Sequence, residues 1–196
     1  MRDKWYGDNR DLVKWSIILH LAEVYKCKRI LQIAYYRKSH PSTVVIDDAN
    51  IEIPEEVHQH FRNIKNIELI KSDFNVNVFC KELAHRHSYL NQACKYICRF
   101  SSEKCIVFLD PDTGLEPANP NLNHVLDQEA KIFWETIKSG DVFVFYQHQT
   151  NRNGQPWMDT KKRQLANAIG IHEQNVKIAS GPDVAKDVAL FYLQKS

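Results

Sequence analysis

The sequence predicts a three-layer α/β domain spanning residues 1–196, and three observations predict it. Strand-like and helix-like stretches alternate along the chain. The runs "KCIVFLD" (104–110) and "DVFVFYQ" (141–147) are almost continuously apolar, as central strands covered on both faces must be. Several strand runs end on acidic or polar residues, which are costly inside a core and belong at a wet edge.

The elements follow in order. Asp8 or Asn9 caps a helix over "RDLVKWSIILHLAEVYK", with Leu12, Trp15, Leu19 and Ala22 on one face and Ile18, Leu21 and Tyr25 beside it. "RILQIAYY" and "STVVIDD" read as strands joined by too short a link for a parallel pair, so they are antiparallel or not adjacent. Pro54 opens the next helix, "PEEVHQHFRNIK", which leads to a strand "NIELIKSD". A long helix is expected from Phe79 to Arg99, and after the strand ending at Asp110 comes a loop rich in Pro and Asn. "HVLDQEAKIFWETIKSG" is helical, with Val125, Ala130, Phe133, Trp134 and Ile137 apolar and Gly140 at its stop. The loop "HQTNRNGQPWMD" precedes a short helix "TKKRQLANAIG", and "NVKIASG" with "DVALFYLQ" closes the sheet as an antiparallel hairpin.

Composition narrows the function classes. With 43% hydrophobic residues the chain can bury one substantial core, and a formal charge of +2 gives no basic field that announces nucleic acid. No window approaches the roughly 20 apolar residues of a membrane span, and the polar N-terminus lacks a signal core. A cytoplasmic protein with no membrane association is expected. Of the five cysteines, Cys94 and Cys98 lie one helical turn apart with His85 and His87 upstream, a spacing that raises zinc. Small core residues are the simpler reading, and no metal site is assigned to them.

Ligands of open α/β sheets bind beyond the carboxyl ends of the strands. The ends to inspect are Asp47 and Asp48, Asp73, Asp110 and Asp112, and Gln147 and His148. Gln147 and His148 must face opposite sides of their strand, so the two do different jobs. His148 suits a general base, a metal ligand or a capping, hydrogen-bonded histidine; Arg152 suits a phosphate or carboxylate, and Trp157 a stacked ring. Each also has a plain structural alternative: Asp110 and Asp112 as turn residues, Lys14 as a helix charge paired with Asp11, Trp157 as a loop anchor.

The opening "GDNRDLVKW" resembles the start of the small ribosomal-RNA adenine methyltransferases, and "FLDPDTG" resembles the Asp-Pro-Pro-aromatic motif of nucleic-acid amino-methyltransferases. The resemblance implies a Rossmann-like, methyltransferase-like sheet with a terminal hairpin, S-adenosylmethionine as cofactor, and a nucleobase of RNA or DNA as acceptor. It places Asp110 on the target amine with Pro111 shaping the loop, and Asp112 and Thr113 where the second proline and the aromatic would stand. It also implies Lys14 near the cofactor, Asp73 on the cofactor's adenine, Asp47 or Asp48 on its ribose, and Asn9 and Gln147 on the substrate. One departure is large. The loop after the first strand, "YYRKSHPS", has no glycine with which backbone could approach a cofactor.

Two other classes stay open. Asp110 and Asp112 have the spacing of the acidic pair in haloacid-dehalogenase-type phosphatases, with Asp183 and Asp187 available for magnesium, and a metal-dependent nuclease could add His148. A methyltransferase-like domain that lost its cofactor would instead be a binding module, using Arg152 and Trp157.

Overall fold

The computed structural model describes residues 1–2, 5–38, 43–149 and 156–196. Helix α1 (Asn9–Val24) precedes strand β1 (Arg29–Ile33). A small hairpin of β2 (Thr43–Ile46) and β3 (Ala49–Glu52) follows, then helix α2 (Glu55–Phe61) and strand β4 (Asn75–Phe79). Helix α3 (Arg86–Cys98) leads to β5 (Cys105–Leu109) and to the short strands β6 (Gly114–Leu115) and β7 (His124–Val125). The chain continues through α4 (Asp127–Thr136), β8 (Val142–His148), α5 (Trp157–Ile169), β9 (Lys177–Gly181) and β10 (Ala185–Gln194).

The main sheet has the order β4-β1-β5-β8-β10-β9. Its first four strands are parallel, and β10 runs antiparallel to both β8 and β9. This is the expected Rossmann-like sheet with a C-terminal antiparallel hairpin. Alternation along each strand splits the core in two. On β5, Ile106 and Phe108 pack with Val13, Trp15, Ile18 and Leu21 of α1, whereas Val107 and Leu109 pack with Tyr89, Phe133 and Leu165 of α3, α4 and α5. Helices on both faces complete the three layers.

Several sequence expectations are corrected. "NIELIKSD" is not a strand: Ile64–Leu69 is a 3₁₀ helix whose cap Asn63 accepts from the Lys65 amide, and Ile64 and Ile67 are buried at helical rather than alternate spacing. The strand is "NVNVF", where Val76 and Val78 alternate inward. Phe79 therefore ends a strand, and α3 starts only at Arg86. Asp73 precedes β4, at the edge opposite the carboxyl ends of the parallel strands, so the strand-end position expected for it is lost. Thr43–Ile46 is not adjacent to β1, as its short link requires, but Asp47 and Asp48 end no strand of the main sheet: they form the exposed turn of the β2–β3 hairpin, both at positive φ. Leu12 is 60% exposed, because the buried face of α1 is centred on Val13, Lys14, Ile18 and Leu21. α5 begins at Trp157, earlier than expected, and Trp157 packs on the cluster that covers the α3–α5 face. Cys27 and Cys105 are buried but Cys98 is exposed, and all five thiols are free. Among the described residues no helix is long and apolar enough to cross a membrane.

Candidate functional site

The chain leaves β1 toward β4 on one side and returns to β5 on the other, so the topological switch point lies above the ends of β1 and β5. A cavity of about 340 Å³ opens beside it. Its walls come from the N-terminal segment and α1 (Met1, Arg2, Trp5, Asp8, Arg10, Lys14), from the loop after β5 (Pro111, Asp112, Thr113, with Asn123), and from Tyr146 and His148 of β8.

α1 is aimed at this edge by its cap. Asp8 accepts from the Arg10 and Asp11 amides, and the Gly7 amide donates to Asp11 at 2.7 Å. One turn on, Lys14 is only 5% exposed. Its ammonium lies 2.7 Å from Asp11, 3.1 Å from Asp110 and 4.5 Å from the centre of the Tyr146 ring. Burial works against that ammonium, but Asp110 and Asp11 outweigh burial and hold its pKa above the ordinary lysine value. The Asp110 carboxyl is pushed up, chiefly by burial and further by the neighbouring Asp11 charge, against the opposing pull of Lys14 and the Met1 amine.

Asp110 is fully buried, and its oxygens accept from Lys14 and from Gln32 of β1 at 2.7 Å. It is a buttress behind the wall. Asp112 is its counterpart at the surface of the cavity, facing the Met1 nitrogen at 3.4 Å, Arg2 at 3.5 Å and Arg37. Burial alone would raise the Asp112 carboxyl, but these cations together hold it below the usual range. Asp110 thus pairs with Lys14 and Asp112 with the arginines, with the Met1 amine near both, and among the described residues no cluster of His, Cys, Asp or Glu could hold a metal.

Gln147 and His148 divide as alternation requires. The Gln147 side chain is buried and accepts from the Leu115 amide at 2.9 Å while donating to the Thr113 and His148 carbonyls. It fixes the DPDTG loop and does not reach the cavity. His148 lines the cavity, with Nε2 3.0 Å from Asp187 of β10. Asp187 also accepts from Arg10 at 2.6 Å; burial would raise its carboxyl, but Arg10 and His148 outweigh that and lower it.

The structure brings together Lys14, Asp110, Pro111, Asp112 and His148. Asn9 is exposed, and Asn9 and Trp157 take no part in the wall. Asp47 sits on the separate hairpin, Asp73 at the opposite edge, and Arg152 lies outside the described residues. Sequence reasoning passed over Tyr146, although period-2 alternation from His148 points to it. It also passed over Arg10, Gln32, Arg37 and Asn123, which carry no motif and are recruited by tertiary contact.

The loop after β1 tests the expected cofactor. The Ala34 amide donates to the Phe79 carbonyl, the Tyr35 amide to the Tyr89 hydroxyl, and the Arg37 amide to the Met1 carbonyl. Tyr35 itself takes a positive φ of 44° where a glycine would be at ease. The Ala34, Tyr35 and Arg37 amides are thus already satisfied inside the chain, so these three described residues do not offer S-adenosylmethionine a backbone cradle.

No protein-family model matches the chain, and no curated protein matches it. Solved structures are similar in fold. A provisionally assigned methyltransferase from Thermobifida fusca is 14% identical over 96% of this chain and 80% of its own, with a TM-score of 0.45. An O-methyltransferase from Bacillus cereus, in complex with S-adenosylhomocysteine, is 13% identical over 93% and 80%, with a TM-score of 0.38. Likeness at this level fixes no activity.

Proposed function

We propose that the cavity between α1 and the DPDTG loop holds a planar, amine-bearing ligand of the nucleobase class, in a domain that is methyltransferase-like in build. The observation that carries the reading is the cavity's place at the carboxyl ends of β5 and β8, beside the switch point where open sheets bind ligands. Trp5 and Tyr146 bring aromatic rings, and the partly exposed Asp8 carboxylate, whose Oδ2 lies 3.4 Å from Arg10, offers an acceptor for an exocyclic amine. Asp110 serves as a positioning residue, because both of its oxygens are taken. RNA or DNA is the partner class, since a base extruded from a strand presents this chemistry.

Methyl transfer from S-adenosylmethionine is the activity the sequence resemblance attaches to this build. The cofactor supplies an activated methyl group when bound, but the described residues at the exit of β1 do not fit it. Binding without transfer is the function the geometry supports best.

Calorimetry with adenosine, with S-adenosylhomocysteine and with magnesium tests this. Adenosine binding that Tyr146→Ala abolishes is the expected result. Binding of S-adenosylhomocysteine more tightly than adenosine would restore the methyl-transfer reading. Neither nucleoside binding, with a magnesium signal lost in Asp112→Asn, would replace both with a metal-dependent hydrolase.

A further inference from the structure

The β2–β3 hairpin presents a surface unlike the rest of the chain. All eight of its strand residues are exposed, and so are Val57 and Phe61 on α2, a helix with no buried residue. Register sorts the hairpin into two faces. Val44 pairs with Ile51 and Ile46 with Ala49, so one face is wholly apolar, while Thr43, Val45, Asn50 and Glu52 form the other. Val44, Ile46 and Ile51 are 43%, 54% and 45% exposed. An isolated two-stranded hairpin is marginal in water, and an apolar face of this kind ordinarily finds cover. β2, "TVVI", also carries neither the charge nor the proline that normally protects a free edge.

Charge says what kind of cover fits. Residues 43–57 contain Asp47, Asp48, Glu52, Glu55 and Glu56 and no lysine or arginine, within a chain of net charge +2. A second copy meeting this arm about a two-fold axis would bring the two acidic sets together. We propose that the arm docks a basic segment of a partner protein that alternates apolar and cationic residues, its apolar side on Val44, Ile46 and Ile51 and its cations among the five carboxylates. No residue of the arm lines the cavity.

The test titrates the full chain with labelled ten-residue peptides, followed by fluorescence anisotropy, with sedimentation velocity on the chain alone. A lysine–valine peptide should bind at least about tenfold more tightly than its glutamate–valine and lysine–serine counterparts, and should weaken as salt rises. Val44→Ser with Ile46→Ser, and separately Glu52→Gln with Glu55→Gln and Glu56→Gln, should each cost about tenfold in affinity while thermal unfolding is unchanged. Equal binding of the three peptides, no binding, or binding that survives both sets of substitutions overturns the proposal. So does a concentration-dependent dimer that Val44→Ser dissolves, which would assign the face to a second copy.

Discussion

The Lys14 ammonium lies 3.1 Å from an Asp110 oxygen across 96 residues of sequence, and both side chains are buried. The pair ties α1 to the end of β5 and, through Gln32, to β1. Removing one partner of a buried pair strands the other charge, so Lys14→Met should cost about 3–5 kcal/mol in denaturant unfolding. Adding Asp110→Asn should recover part of that loss, the remainder belonging to Asp11, which stays buried without its cation. Independent, additive losses from the two substitutions would show that the charges are not coupled.

Gly114 has a φ of +122°, and a Cβ there would sit 2.3 Å from Oε1 of Gln147. Gly114→Ala must therefore strain the backbone and displace the amide that holds the loop. A loss of about 2–4 kcal/mol is expected, together with weaker ligand binding in the cavity. An alanine variant as stable as the parent would refute the close packing of Gln147 under this loop.

The lowered Asp187 carboxyl gives a pH signature. Its stabilising contribution is complete above the unfolded-state value near 4 and is lost as pH falls through the lower folded value. Asp187→Asn should reduce stability at neutral pH and flatten the decline as pH falls below about 4. Thermal melts across that range measure both effects; an unchanged acid limb would contradict the pairing with Arg10 and His148.

Lys195 closes α4 from the far end of the chain. Its ammonium donates to the Trp134 and Ile137 carbonyls at 2.7 and 2.6 Å and to Glu135 at 3.2 Å. Lys195→Met leaves these carbonyls at the helix end without their cation and should cost about 1–2 kcal/mol. Hydrogen exchange should quicken in the last turn of α4, whereas a uniform change across the domain would argue against a local cap.

Legibility varied with how local the cause was. β5 and β8 were readable because a strand buried on both faces must be apolar at nearly every position, and α1 was readable from its Asp8 cap. β4 was missed because only Val76, Val78 and Phe79 mark it, while the preceding isoleucines suggested a strand where helical spacing prevailed. Asp73 went to the wrong edge for the same reason, since a shift of a few residues moves a strand end across the sheet. At the site, Asp110 and Asp112 were visible as an acidic strand end. Their division of labour was not: which acid is buttress and which faces the cavity depends on Lys14, Gln32, Arg2 and Arg37 arriving from other elements.

The sequence alone determined a layered α/β domain closed by a hairpin, an acidic loop after a central strand, and a first loop without glycine, because periodicity, turn chemistry and backbone freedom are local properties. The tertiary structure decided that Asp110 is held by Lys14, that Asp187 receives both His148 and Arg10, and that an acidic, apolar-faced hairpin stands apart from the sheet. Those are relations between distant segments, and burial and charge become defined only when packing brings the segments together.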